Sequence, residues 1–243
     1  MTNESNAENF SRAMVVVAHA DDAEYGCSGT VAKLCSNGWE LVYVICTDGS
    51  KGSTDRHLSQ KQLSAIRKNE QIAAGKVLGL KDVAFLGHED SMLEPTLRLR
   101  KDITRQIRKY KPDIIITTYP ARSLDGKGWG VGHPDHIAAG EATLSAIFPT
   151  ARDHLTFPEL LADGLEPHKV SEAWIMGHPE PDHFVDVSNH MDTSIRALLE
   201  HTSQLGGRPE DEIRERMLDM RREKAKGKGI KYAESFRKFT WGT

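Results

Sequence analysis

Residues 13–38, AMVVVAHADDAEYGCSGTVAKLCSNG, set a pattern that recurs along the first half of the chain. Residues 13–18 are apolar at every position, which predicts a strand buried on both faces of a sheet. Residues 27–37 have the spacing of a helix and are followed by Gly38, a common helix terminator. One histidine and three acids lie between these two elements. The stretch therefore predicts a strand, a polar loop and a helix in succession.

The same alternation of apolar strands and helices continues to about residue 148. Further strands are predicted at residues 41–46, 83–86 and 113–118, and helices at residues 58–78, 96–110 and 136–148. Strands that alternate with helices at this spacing pair in parallel through right-handed crossovers. The predicted fold class is therefore α/β, a Rossmann-like, doubly wound, mostly parallel sheet with helices on both faces. In the commonest strand order of such sheets the first and fourth strands are neighbours, and a ligand crevice lies at their carboxyl ends.

The pattern loosens after Pro149. Strands are predicted at residues 172–176 and 184–187, and helices at about residues 191–204 and 210–225, with the strand pairing left open. Single α/β domains often reach the length of this chain. We therefore expect one domain over residues 13–243, preceded by a flexible N-terminal tail of residues 1–12.

The amino-acid composition and net charge limit the kinds of binding partner that can be expected. The formal net charge is −3, which gives no basic field for nucleic acid or an anionic membrane surface, so neither partner is expected. No apolar stretch is long enough to predict a membrane span. The three cysteines lack the C-x-x-C spacing, which favours reduced thiols and a cytoplasmic location. A small molecule is the expected ligand.

Two clusters of ionisable residues follow the first and fourth predicted strands. The first cluster contains His19, Asp21, Asp22 and Glu24, and the second contains His133, Asp135 and His136. Burying several such groups together is costly unless a cation compensates them. Two imidazoles and a carboxylate around one ion, with a position open to water, form the ligand set of a catalytic zinc site. An alternative for either cluster alone is a helix-capping aspartate beside surface histidines.

The two adjacent aspartates of the first cluster, Asp21 and Asp22, could have different roles. One could bind the metal while the other takes a proton from the attacking water, and the spacing alone does not distinguish them. At this level the residues favour metal-assisted hydrolysis of an amide or ester.

The two clusters resemble the motifs of the LmbE/PIG-L family of zinc-dependent N-deacetylases. The family's A-H-P-D-D-E corresponds to AHADDAE from Ala18, and its H-x-D-H corresponds to HPDH from His133. Weaker similarities are found in TDGSKGS from Thr47, RKNE from Arg67, FLGHEDSML from Phe85 and HTSQ from His201. The chain departs from the family pattern at Ala20, which replaces a proline, and at Glu24, which comes one residue late. Neither change removes a candidate ligand.

The resemblance implies a role for each motif residue. His19, Asp22 and His136 would hold one Zn²⁺ per chain, Asp21 would be the general base, and His133 would stabilise the oxyanion or assist proton transfer. Asp135 would orient His133, while Arg67 and Asp90 would bind the sugar hydroxyls. Family members often form trimers or hexamers, so the resemblance also implies a homo-oligomer.

The expected activity is removal of an N-acetyl group from a 2-acetamido sugar or sugar conjugate by metal-activated water. This would be a hydrolase acting on the C–N bond of a linear amide. A metal-dependent binding module for glycans or small molecules, without turnover, is one alternative. A non-haem iron oxygenase is the other, because His19 and Asp21 with a distant histidine also resemble a two-histidine, one-carboxylate triad. That triad usually belongs to a β-barrel, which the alternating pattern disfavours.

Overall fold

The computed structural model describes residues 10–122 and 132–241. Their strands form one sheet with the order β3-β2-β1-β4-β5-β7-β6. The strands are β1 (Arg12–Val17), β2 (Glu40–Thr47), β3 (Asp82–His88), β4 (Ile114–Thr118), β5 (Glu172–Met176), β6 (His183–Asp186) and β7 (Ala233–Thr240). Strands β1 to β5 pair in parallel, whereas β7 is antiparallel to both β5 and β6. The prediction of a mostly parallel sheet with β1 beside β4 is confirmed.

Eight α-helices are found among the described residues. They are α1 (Asp22–Gly26), α2 (Ser28–Ser36), α3 (Gln60–Leu78), α4 (Leu97–Tyr110), α5 (Pro134–Ser145), α6 (Pro158–Ala162), α7 (Met191–Leu199) and α8 (Glu210–Ala225). Apolar clusters fill both faces of the sheet, one beneath α4 and α5 and the other beneath α2 and α3. No helix in these residues is long and apolar enough to cross a membrane.

Three elements were not predicted from the sequence, namely α1, α6 and β7. The sequence left the strand pairing in this region open. In the structure β7, from the C-terminal end of the chain, lies between β5 and β6 and pairs with both. The predicted helix at 136–148 begins at Pro134, and the helical backbone breaks at Phe148, whose φ of −140° and ψ of 123° are extended. Phe148 precedes Pro149, and a residue before proline disfavours the helical conformation, which explains the break. The predicted tail of residues 1–12 lies mostly outside the described residues, and Arg12 already belongs to β1.

Candidate active site

Strands β1 and β4 bring the two sequence clusters together. They pair in register from Ala13 with Ile114 to Val16 with Thr117, so their carboxyl ends meet at one edge of the sheet. The loop after β1 carries the first cluster, and the second cluster starts α5. Helix α5 packs tightly against the end of β4, because a Cβ atom at Gly140 would overlap the carbonyl oxygen of Thr118. The Thr118 hydroxyl also donates to the His136 carbonyl at 2.6 Å. This contact fixes the height of α5 above the sheet.

Ligand atoms of His19, Asp22 and His136 converge at the end of β1, with each Asp22 carboxylate oxygen facing one of the two histidines. Nε2 of His136 lies 3.0 Å from Oδ1 of Asp22 and 3.3 Å from Nδ1 of His19. Nδ1 of His19 lies 3.5 Å from Oδ2 of Asp22. Zinc bonds of 2.0–2.1 Å at tetrahedral angles place two ligand atoms about 3.3 Å apart. The three side chains therefore have the spacing of ligands to one tetrahedral ion.

Two other groups of side chains also bring possible ligand atoms close together. They are His19 with His133 and His136, and His19 with Asp90 and Asp135, each within 4.8 Å. His19 belongs to all three groups and is the centre of the cluster.

The second ring nitrogen of His19 faces two more carboxylates. Its Nε2 lies 3.1 Å from Oδ2 of Asp135 and 3.2 Å from Oδ1 of Asp90. Ionised carboxylates only accept hydrogen bonds, so Nε2 carries a proton whether the ring is neutral or charged, and Nδ1, which faces His136 and Asp22, is the nitrogen that could bind a metal when the ring is neutral. Asp135 is itself held by the backbone N–H groups of Ser91 at 2.7 Å and Leu93 at 3.3 Å. Such carboxylate partners commonly orient a histidine that binds metal.

The electrostatics of the cluster favour a positive charge at its centre. Burial alone would lower the pKa of His19, but hydrogen bonds to Asp135, Asp22 and Asp90 raise it to about 12. Burial alone would likewise raise the pKa of Asp22, but His136 and His19 hold it well below its usual range. Three carboxylates within 3.5 Å of one imidazole thus stabilise a cation there, whether a proton or a metal ion supplies the charge.

Asp21 has a strained backbone between the two candidate ligands of the first cluster. Its φ of 87° lies in the left-handed region, which few residues other than glycine adopt. Its N–H donates to Oε1 of Gln71 at 3.3 Å. Burial and the charge of Asp22 raise the pKa of Asp21 to about 7, so its carboxyl could exchange a proton near neutral pH.

His133 is the most exposed member of the cluster, with 41% of its side chain accessible. Its Nδ1 accepts the backbone N–H of Asp135 at 3.2 Å, which leaves Nε2 as the nitrogen that carries the proton. Burial and the neighbouring His19 charge lower the pKa of His133, which favours the neutral ring. The resemblance implied that the Asp135 carboxylate orients His133, but that distance is 3.9 Å. The carboxylate instead contacts His19, and the backbone of Asp135 contacts His133.

Arg67 and Asp90 form a buried pair beside the cluster, where Asp90 contacts His19. Nη1 of Arg67 lies 3.3 Å from Asp90, and Arg67 and Asp90 are 6% and 3% exposed. Arg67 also donates to the carbonyls of Lys51 at 3.2 Å and Ala20 at 3.5 Å. The guanidinium therefore joins the loops that follow β1, β2 and β3. Two other acids that could pair with Arg67 have different partners: Glu70 accepts from Ser203, and Glu24 accepts from Gln71.

Sequence reasoning missed Gln71 and assigned no role to Glu24 or His201. Glu24 and His201 have no exposed surface, and Nε2 of His201 lies 3.4 Å from Oε2 of Glu24. The amide nitrogen of Gln71 donates to Oε1 of Glu24 at 3.1 Å. Gln71 follows Arg67 by four residues, which places both on one face of α3. That spacing is the signal that could have identified Gln71.

Comparison with known proteins gives consistent matches. The family model "PIG-L: GlcNAc-PI de-N-acetylase" matches residues 14–147. A diacetylchitobiose deacetylase from Thermococcus kodakarensis is 33% identical over 203 residues, covering 84% of this chain and 72% of that protein. A probable N-acetyl-α-D-glucosaminyl L-malate deacetylase from Bacillus anthracis is 29% identical, covering 81% of this chain and 83% of that protein. The solved structure of N,N'-diacetylchitobiose deacetylase from Pyrococcus horikoshii, bound to an inhibitor, superposes with a TM-score of 0.86 at 27% identity, covering 96% of this chain and 85% of that one.

Proposed function

The chain belongs to the PIG-L family, and from this premise we propose that it is a zinc-dependent hydrolase that removes the N-acetyl group of a 2-acetamido sugar or sugar conjugate. The observation that carries the proposal is the convergence of His19, Asp22 and His136, in which the two histidine nitrogens lie 3.3 Å apart and each lies within 3.5 Å of one of the two Asp22 carboxylate oxygens. Named relatives that deacetylate acetamido sugars support the substrate class.

The donor set fits zinc by chemistry as well as by spacing. Two imidazole nitrogens and one carboxylate oxygen are a common catalytic ligand set for this ion. Zinc, when bound, acts as a Lewis acid toward a carbonyl and lowers the pKa of water. In this assignment Asp90 and Asp135 orient His19 through its Nε2 and direct Nδ1 toward the ion.

In this proposal Asp21 transfers the proton, and His133 stabilises the negative charge that develops on the carbonyl oxygen. Asp21 takes a proton from the attacking water and returns it to the amine that leaves, a task suited to a carboxyl whose pKa burial and Asp22 raise to about 7. A divalent cation held by the neighbouring residues would lower that pKa again. The Nε2–H of His133 would donate a hydrogen bond to the oxyanion that forms on the carbonyl oxygen, and the ring would keep its proton. Arg67 and Asp90 would bind the sugar hydroxyls.

The test is release of acetate and of free amine from diacetylchitobiose, N-acetylglucosamine and its malate glycoside. We expect release with zinc supplied and loss of release after chelation. The Asp21→Asn variant should lose at least about 100-fold in kcat while it retains zinc, because a positioned general base contributes 10²–10⁴-fold. Asp219→Asn, at an exposed position on α8, is the matched control for the same change.

Two results would contradict the proposal. Full activity of Asp21→Asn with zinc bound would remove Asp21 from the role of base. No acetate from any of the three substrates, with zinc at one per chain, would favour a metal-dependent binding module instead.

A further inference from the structure

The strained backbone of Asp21 requires an external restraint. A non-glycine residue persists at φ 87° only when its surroundings hold it there. Asp21 caps the start of α1 without a side-chain hydrogen bond to that helix. The restraint on the Asp21 backbone must therefore come from outside α1.

The side chain of Gln71 supplies a contact at this point. Gln71 lies on α3, has no exposed surface, and accepts the Asp21 N–H at 3.3 Å. The opposite end of the same amide donates to the Glu24 carboxylate at 3.1 Å. One buried amide therefore links the backbone of Asp21 to a residue one turn further along the chain.

Glu24 determines which way the Gln71 amide faces. An ionised carboxylate offers only acceptors, so it selects the NH₂ end of the amide and turns Oε1 toward Asp21. Oε2 of Glu24 lies 3.4 Å from Nε2 of His201, and both residues are fully buried. Helix α3 also holds the segment after His201, because Glu70 accepts from the hydroxyls of Thr202 at 2.9 Å and Ser203 at 2.7 Å. The amide is thus constrained from both sides.

We propose that Gln71 is a positioning residue for the general base: its amide, oriented by Glu24, holds the Asp21 backbone in the left-handed conformation and so aims the Asp21 carboxylate. The proposal rests on the proposed function for the role of Asp21 as base. The restraint itself is a property of the fold and can be measured without turnover.

The first test replaces Gln71 by methionine, which has a similar length but accepts no strong hydrogen bond. We expect kcat to fall about 10- to 100-fold, the range typical of losing a partner that orients a reactive group. KM and a zinc content of one per chain should stay unchanged. Gln60→Met, at an exposed position on the same helix, is the matched control. Unchanged kcat in Gln71→Met would overturn the proposal.

The second test measures the restraint by unfolding in urea. Glycine adopts positive φ without strain, so Asp21→Gly removes the need for a restraint. We expect Gln71→Met to lower the urea midpoint more in the wild-type background than in the Asp21→Gly background. Equal losses in both backgrounds would show that Gln71 contributes packing alone and would overturn the proposal. This result does not depend on whether the wild type releases acetate, so failure of the proposed function is distinguished from failure of the restraint.

A third variant covers the case in which Gln71→Met does not fold. Glu24→Gln presents a donor as well as an acceptor to the Gln71 amide, so both amide orientations become available. We expect a smaller fall in kcat than in Gln71→Met, again with zinc retained. Wild-type kcat in Glu24→Gln would contradict the orienting role of Glu24.

Discussion

Two buried clusters of charge in this molecule differ in how their acceptors are matched by donors. Glu234 on β7 accepts from Arg221 at 2.9 Å and from the backbone N–H groups of Gly29 at 3.0 Å and Thr30 at 2.7 Å, at the start of α2. Each carboxylate oxygen there has a donor, and the anion lies at the positive end of a helix. Around His19, by contrast, three carboxylates compete for one ring and two imidazole nitrogens face each other at 3.3 Å. A matched cluster stabilises the fold, whereas a surplus of acceptors indicates a site for a cation.

The largest expected effect is the loss of zinc binding by the cluster around His19. Asp22→Asn keeps the shape of the side chain but removes the negative charge that His136 and His19 share. We expect zinc content to fall well below one per chain and acetate release to fall by at least about 100-fold, because losing a proposed ligand should cost at least as much as losing a partner that only orients one. Elemental analysis and an acetate assay measure both quantities. Retention of full zinc by Asp22→Asn would show that the surplus of acceptors is not what binds the ion.

Removing one partner of the matched cluster should affect stability instead of zinc binding. Glu234→Ala leaves Arg221, which is 2% exposed, without its ion pair. We expect the free energy of unfolding to fall by about 3–5 kcal/mol, the cost of an uncompensated buried charge, with zinc content unchanged in the folded protein. Urea unfolding measures the loss, and Glu215→Ala at an exposed position on α8 is the control. Loss of zinc in Glu234→Ala would remove the distinction between the two clusters.

The smallest expected effect concerns His201, a buried histidine that faces the Glu24 carboxylate. Burial alone would lower its pKa, but the charge of Glu24, with Asp21 and Glu70, raises it above 6.5 in the folded protein. The stabilisation is fully present below the unfolded-state pKa of about 6.5 and is lost as pH rises through the higher pKa of the folded state. The loss amounts to about 1.4 kcal/mol for each pH unit between the two pKa values.

Urea unfolding of the wild type and of His201→Gln between pH 6 and 9 tests this expectation. The advantage of the wild type should shrink as the pH rises. An advantage that grows with pH would show that His201 is neutral in the folded protein.

The sequence predicts the part of this molecule that depends on local pattern. His19 and His136 could be identified because each follows a buried apolar strand, and the parallel alternation places those strands side by side. Strand β7 was not predicted, because AESFRKFT mixes charged and apolar residues and becomes a strand only through its pairing with β5 and β6. The contact of Asp135 with His19 could not be predicted either, since it depends on the loop after β3, whose Ser91 N–H turns that carboxylate. Gln71 was missed because a glutamine in a helix carries no chemical signal until its two partners are known.

The tight contact between Gly140 and Thr118 bears on how the substrate range of this enzyme could evolve. His136 lies one helical turn before Gly140, so the same contact that docks α5 onto β4 also sets the position of His136, the proposed ligand. Neither Gly140 nor Thr118 belongs to the loops that surround the crevice, and loops accept changes in length and sequence that helices and strands do not. Sequence changes in these loops could therefore alter which sugar binds, while the position of His136 stays the same.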